Sequence, residues 1–420
     1  RYAFDGLLNQ RLDTPYIKYN GKFEKASWKE VLNIINIKIK SANSSKICGI
    51  SGDLINMETM YIFKEFFNKT LNSKNKDFKN NHTYINPEKR ENYIFNSSIN
   101  GIEECDFIFL IGSNPRYEAT ILNSRIRKSY LQNKKNIFSL GDVGDLTYPY
   151  KSLNGKTDTI RDIIEDKHNL SNLIKSAKKP LIIIGQSALS SKSGKYIFES
   201  IKSFLMKNDK INSDWNPINI ISENASTVGS LDLGIYNTLD GSNETLDNLD
   251  NHKYEIIYLL GQDSLNFKKK NEFIIYQGSH GDKGAEIADI ILPGAAYTEQ
   301  DGYYTNLEGK IQKAYKASYP PGDAKEDWKI LNDLAETMNH RKLFNDKEEL
   351  ISSMLNQIKL LHDNNEKKEF TELKNLDFIN EEIKINNIDY YYSNAIARSS
   401  KTMFDCRKEK INLQSTGTEG

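Results

Sequence analysis

The side chains best placed for chemistry lie between residues 277 and 312. Gln277-Gly278-Ser279-His280-Gly281-Asp282-Lys283-Gly284 sets an imidazole close to a carboxylate inside a glycine-rich loop. Such a histidine can serve as a general base or a metal ligand, because it titrates near neutrality. The other five histidines stand in unrelated, mostly polar contexts, and no His, Asp or Glu cluster at ligand spacing surrounds His280. We therefore read His280 as a residue that orders its loop. Farther along, Glu299, Asp301 and Glu308 form an acidic set of the kind that could supply an acid–base pair. Asn306 and Gly309 suit a tight turn instead, and carboxylates in that setting accept backbone N–H bonds and pin the loop.

Other reactive arrangements are scarce. Cys48, Cys105 and Cys406 lie far apart, without CxxC or zinc spacing, so neither a disulfide framework nor a metal knuckle is encoded. Cys48 and Cys105 fall in apolar stretches and read as small buried hydrophobes. No G-x-G-x-x-G, Walker loop, G-x-S-x-G elbow or HExxH helix occurs. Arg116, Arg125, Arg127 and Lys128 form a basic stripe that suits phosphate, an acidic partner surface, or equally a solvated helix face. No aromatic interleaving points to nucleic acid.

The elements that must position these residues alternate between strand and helix patterns, which implies an α/β architecture with mainly parallel sheets. Phe107–Ile111, Leu181–Ile184 and Ile256–Leu260 are apolar runs of strand length, each stopped by a glycine: Gly112, Gly185 and Gly261. In a doubly wound sheet that is the carboxyl edge, where ligands bind. Glycine there serves a ligand or simply the sterics of a tight turn. Ser27 and Glu30 form a capping box for a helix whose apolar face is Val31, Leu32, Ile35 and Ile39. A second helix over 56–72 carries Met57, Met60, Tyr61 and Phe67 as core positions. After Pro320-Pro321-Gly322, Asp323 is expected to cap a helix through Trp328, Leu331, Leu334 and Met338. A further helical pattern covers 347–361, with Leu350, Ile351, Met354, Ile358 and Leu361 inward.

At 420 residues the chain is long enough for two or three domains, and 38% hydrophobic residues support a sizeable core. With 57 basic and 57 acidic side chains the formal charge is zero, so no overall field draws nucleic acid or an anionic membrane. No apolar run approaches the ~20 residues that cross a bilayer. The chain opens at Arg1, and we expect an amino-terminal segment to precede it.

Two levels of family resemblance sharpen this reading. Ala288-Asp289-Ile290-Ile291-Leu292-Pro293, followed by Glu299-Gln300-Asp301-Gly302, Asn306, Glu308-Gly309 and Gln312, resembles a signature of the molybdopterin-oxidoreductase superfamily. Further stretches at Arg1–Leu12, Arg90–Asp106, Gly112–Glu118, Asn123–Ser129, Gln277–Thr298, Pro320–Leu331 and Ala397–Cys406 are similar to the largest iron–sulfur subunit of respiratory complex I, NADH:ubiquinone oxidoreductase. The resemblance covers nearly the whole chain. It departs at Ser279, where relatives usually carry His, and at Gln300-Asp301-Gly302, which keeps more of the older enzyme loop.

That resemblance implies an α/β fold of two Rossmann-like lobes on the molybdopterin oxidoreductase scaffold, with a helical and extended carboxy-terminal tail. We expect residues 1–44 to pack on the second lobe, 45–158 to form the first lobe, 159–340 the second, and 341–420 the helix and tail. In the family the iron–sulfur clusters sit in a Cys-rich amino-terminal region, expected here outside this sequence or on a separate chain. Metal-binding relatives use Cys, selenocysteine or Ser; the corresponding stretch, Lys74–Glu91, contains neither Cys nor Ser. We accordingly assign no catalytic, cofactor-binding or metal-ligating residue and no cofactor to this chain. The implied role is structural support of the electron wire in the peripheral arm of complex I, on the matrix side of the mitochondrial inner membrane. Its partners would be other peripheral-arm subunits, including a Cys-rich one, with no nucleic acid and no direct membrane insertion. Two alternatives stand beside it: an active molybdopterin-dependent oxidoreductase subunit lacking its cluster domain, and a nucleotide-binding module using Gly112–Pro115 and Gln277–Gly284.

Overall fold

A computed structural model describes residues 4–363, 376–386 and 388–416. The strands are β1 (Tyr16–Tyr19), β2 (Lys22–Lys25), β3 (Ile47–Ser51), β4 (Lys76–Asp77), β5 (Phe107–Ile111), β6 (Asn136–Leu140), β7 (Lys151–Leu153), β8 (Pro180–Ile184), β9 (Ile218–Ile220), β10 (Ile256–Leu260), β11 (Phe273–Gly278), β12 (Ile290–Pro293), β13 (Gly302–Thr305) and β14 (Ile311–Ala314). They sort into a seven-stranded sheet, β2-β1-β12-β11-β10-β3-β4, a five-stranded sheet, β7-β6-β5-β8-β9, and the hairpin β13–β14.

The five-stranded sheet is wholly parallel and runs outward in both directions from the β5–β8 pair, which is the 3-2-1-4-5 order of a Rossmann half-sheet. Within the larger sheet, β4-β3-β10-β11-β12 are parallel in 2-1-3-4-5 order, the flavodoxin-like arrangement. The hairpin β1–β2 adds to its far edge, β1 pairing antiparallel with β12. Two doubly wound lobes result, as the resemblance implies.

Burial follows from strand periodicity. Along β10, Ile256, Tyr258 and Leu260 enter one core while Ile257 and Leu259 enter the opposite one. Along β5, Phe107, Phe109 and Ile111 face one way, and Ile108 and Leu110 the other. Both faces are covered by helices, which is why these strands read as continuous apolar runs. The helix Trp28–Ser41 buries Val31, Leu32, Ile35 and Ile39, and its Ser27/Glu30 capping box is formed. Met57–Glu65, continued by a π turn over Phe66–Thr70, buries Met57, Met60, Tyr61 and Phe67. Lys347–Asp363 buries Leu350, Met354 and Ile358, while the side chain of Leu361 lies outside the described residues.

Two expectations are corrected. The contiguous split at residue 158 does not match the sheets: β3 pairs with β10, and β5 with β8, so each sheet draws strands from both sides of it. Residues 105–220 form one lobe, inserted between β4 and β10 of the other. Local apolar runs announce strands but carry no record of their partners. Residues 16–19 do pair with β12, which lies within the expected second segment. Asp323 is not the helix cap; the helix Asp327–Asn339 begins after Glu326, and Asp323 turns back so that its N–H donates to Asp13 O (2.7 Å).

The segments that enter and leave the insertion are clamped by Arg90, whose guanidinium donates to both carboxylate oxygens of Asp232 (2.9 Å each) and to the carbonyl of Gly309. Tyr93 OH donates to the same buried carboxylate (3.1 Å). Arg90 thereby joins the helix Thr227–Leu233 to the β13–β14 turn. Arg90→Ala removes both guanidinium bonds from the buried Asp232 carboxylate and is expected to cost ~3–5 kcal/mol, read as a lowered urea midpoint. Gly185→Ala would set a methyl 2.3 Å from Gly112 O and is expected to lower the same midpoint by ~1–3 kcal/mol. An unchanged midpoint for Gly185→Ala would show that the β5–β8 junction has slack.

Candidate functional site

A doubly wound sheet binds ligands outside its carboxyl edge, at the switch point between strands that diverge in order. In the larger sheet that point lies between β3 and β10, where the chain turns at Gly52 and Gly261. A Cβ on Gly52 would stand 1.8 Å from Gly261 O, and Gly261 has φ +56° with Ile55 pressed against it. In the smaller sheet, Gly112 (φ +57°) abuts Ala188, and a Cβ on it would stand 2.4 Å from Ala188 N. These glycines serve the close approach of backbone to backbone. Their need for φ > 0 and for space is met within the chain.

The crevice outside β3, β10 and β11 narrows to a cavity of about 60 Å³. Asp53, Asp263, Tyr276, Gln300 and Asp327 line its sheet side, and Asn394–Ile396 and Arg398 close it from outside. That volume admits a few waters and lies far below the ~300 Å³ at which ligand pockets begin.

The polar groups behind the cavity bond to one another. Tyr258 OH donates to Gln277 Oε1 (2.5 Å), and Gln277 Nε2 donates to Asp327 Oδ1 (2.9 Å). Gln300 Nε2 donates to Asp327 Oδ2 (2.7 Å). Asp327 is buried, and the loss of water pushes its pKa up to about 6 despite those amide donors. Asp263 accepts from Tyr276 OH (3.0 Å) and Gly284 N (3.2 Å); burial and the neighbouring charge of Asp282 push it up to about 7.

His280 is fully buried beside this network. Its Nε2 is 2.8 Å from Gly6 O, an acceptor, so Nε2 carries the proton and Nδ1 accepts from Ser279 Oγ (2.8 Å). Burial pulls its pKa down to about 4, which keeps it neutral. It orders its loop against the amino-terminal turn Phe4–Leu7, as its sequence context suggests.

The acidic set is likewise taken up by the loop. Glu299 Oε2 accepts from Arg11 Nη2 (2.6 Å) and Ala296 N (2.9 Å). Asp301 accepts from Lys316 N (2.9 Å), and Glu308 from Ile99 N (2.8 Å). The three carboxylates do not converge on a shared space. The basic stripe also pairs internally: Arg125 and Lys128 both meet Glu103, Arg116 meets Asp145, and Arg127 reaches Thr147 O.

In each loop weighed for a nucleotide, two donors bond within the chain. After β5, Ser113 Oγ (2.9 Å) and Asn114 N (2.8 Å) donate to Glu118, an internal carboxylate where a phosphate would sit. In the other loop, Gly281 N donates to Gln10 O (2.7 Å) and Gly284 N to Asp263.

The residues also do not fit a metal held by a pterin. In 74–91, Asp77 Oδ1 accepts from Phe78 N (2.8 Å) and Lys79 N (3.1 Å), while Tyr84 and Asn86 both donate to Glu199. Asn and Lys offer no thiolate or alkoxide. Among the described residues no group of three or more His, Cys, Asp or Glu is arranged to hold a metal ion. Cys48 and Cys105 are buried and free, and burial pushes both thiols up, away from the reactive thiolate. Sequence reasoning missed Asp327, Gln277 and the Arg398–Asp282 contact, because no local spacing marks them; each is defined by partners remote in sequence.

Comparison with known proteins shows the family. The family model for molybdopterin oxidoreductases matches residues 11–337. The chain is 39% identical to the NADH-ubiquinone oxidoreductase 75 kDa subunit of Reclinomonas americana, over 97% of this chain and 61% of that one. With the mitochondrial NADH-ubiquinone oxidoreductase 78 kDa subunit of Candida albicans identity is 38%, over 97% and 58%. With the mitochondrial 78 kDa subunit of Neurospora crassa it is 35%, over 98% and 57%. The chain thus spans about three fifths of the length of these relatives. In fold it is similar to a formyltransferase/hydrolase complex from Methylorubrum extorquens, at TM-score 0.57 and 10% identity, covering 78% of this chain and 99% of that one. Acetylene hydratase from Pelobacter acetylenicus aligns at TM-score 0.50 and 11% identity, over 96% and 71%. The chain belongs to the molybdopterin oxidoreductase family, and its relatives within that family are the 75 and 78 kDa subunits of NADH-ubiquinone oxidoreductase.

Proposed function

We propose that this chain is a structural part of respiratory complex I, buttressing the iron–sulfur electron wire without carrying a redox centre. The observation that carries the reading is the pairing of 39% identity across 97% of the chain with Gly284 N and both carboxylate oxygens of Asp327, which bond within the chain. Groups bonded in this way are not free to meet a substrate. The names of the mitochondrial relatives support a mitochondrial location, and the chain's place in this reading is the matrix-side peripheral arm. Among the described residues no helix is long and apolar enough to cross a membrane, in keeping with a place outside the bilayer. Its partners are then other complex I subunits, including a Cys-rich one that bears the clusters.

Affinity purification from the native organism under mild detergent tests this. Recovery with a Cys-rich, iron-containing polypeptide and with NADH dehydrogenase activity is the expected result. Stoichiometric molybdenum, tungsten or pterin in the isolated chain would reverse the proposal in favour of a working molybdopterin enzyme.

The edge network carries its own pH signature. The fold raises the pKa of Asp263 from 3.8 to about 7. Its contribution to stability is therefore fully present below about 4 and is lost as pH rises through about 7. Asp263→Asn keeps the acceptor for Gly284 N and removes the charge. It is expected to flatten the fall in Tm between pH 5 and 8 and to gain on the order of a few kcal/mol at pH 8. Parallel Tm profiles for the two proteins would contradict this.

A further inference from the structure

The crevice outside β3, β10 and β11 is lined on its outer side by the chain's own tail. Residues 379–386 first run along the smaller lobe, where Thr157 N donates to Glu381 O (2.9 Å) and Ser193 N to Glu381 Oε1 (2.9 Å). The tail then crosses to the larger lobe, where Asn394 caps the turn Ala395–Arg398. Ile396 O packs so tightly on Gly6 that a Cβ there would lie 2.0 Å away. Ser399 and Ser400 bond to Gln10 (3.2 Å) and Asp5 (2.6 Å).

At the tip of this turn Arg398 Nε donates to Asp282 Oδ2 (2.6 Å), with both side chains largely shielded from solvent, and Nη1 donates to Tyr392 O (3.0 Å). Arg398 also lines the same cavity as Asp53 and Asp263. The edge therefore presents three carboxyl side chains, Asp53, Asp263 and Asp282, to one guanidinium, and the ion pair is made with Asp282.

We propose that residues 394–400 act as an internal ligand, seated in the crevice outside β3, β10 and β11, with the Arg398 guanidinium taking the place of a bound small molecule. The binding energy a cofactor would supply to the edge is supplied by a tethered peptide at high effective concentration. This self-occupancy is a property of the chain alone and stands whether or not the assembly proposal does.

Hydrogen exchange on the full chain tests it. In the wild type the amides of 394–400 and of 278–284 are expected to be protected together. Arg398→Gln removes the cation, and Asp282→Asn removes the anion while keeping the bond from Lys283 N. Each is expected to speed exchange in both segments by ~10-fold or more, with the amides of β5 and β8 unchanged. The double variant should be no worse than either single one, as expected of a coupled pair. Free exchange of 394–400 in the wild type would overturn the proposal without any variant. So would additive effects in the double variant, or single variants that leave both segments protected.

Discussion

A backbone N–H at the carboxyl edge of a parallel sheet needs an acceptor once water is excluded, and the rest of this structure is arranged around that need. In a cofactor-binding relative of this architecture, phosphate oxygens can accept those bonds. Here Glu118, Asp263 and the carbonyl of Gln10 accept them. Once the acceptors are side chains and backbone of the same molecule, the edge is closed without a ligand. The glycines that would let a ligand approach let two turns approach each other instead.

That closure places acids where water is scarce. Asp327 sits among Gln277, Gln300 and the end of a helix, and Asp263 beneath the tail. Two amide donors offset part of the cost of burying Asp327, but not all, so its proton is held into the neutral range. Perturbed carboxyls of this kind often mark active sites. In this molecule the geometry argues otherwise, since each carboxylate oxygen of Asp327 is already bonded and the adjoining cavity admits only water.

The same kind of internal pairing holds the chain where it enters and leaves the inserted lobe. Arg90 is a single side chain that binds Asp232 and the β13–β14 turn, with Tyr93 as a third contact. Bidentate geometry gives it direction as well as energy. The tail works in the same way, running from Thr157 and Ser193 of the smaller lobe to Asp282 of the larger.

Much of this was legible in the residues alone. Apolar runs ending in glycine marked β5, β8 and β10, the Ser27/Glu30 box marked a helix start, and the acidic set with Asn306 and Gly309 marked a pinned turn. Those features are local: they depend on dihedral preference, alternation and spacing, which neighbours in sequence determine. Which strands share a sheet was not legible, since β3 and β10 are separated by an entire inserted lobe and apolar strands pair with any apolar strand. Nor was the helix start at Asp327, where Asp323 offered an equally good capping side chain. The sequence by itself determined the family, the alternation of elements and the absence of Cys and Ser from 74–91. Only the tertiary structure decided that Arg398 meets Asp282, that His280 is neutral and that the crevice narrows to about 60 Å³. Those facts rest on contacts between segments 100 or more residues apart, and long-range packing leaves no periodic trace in a chain.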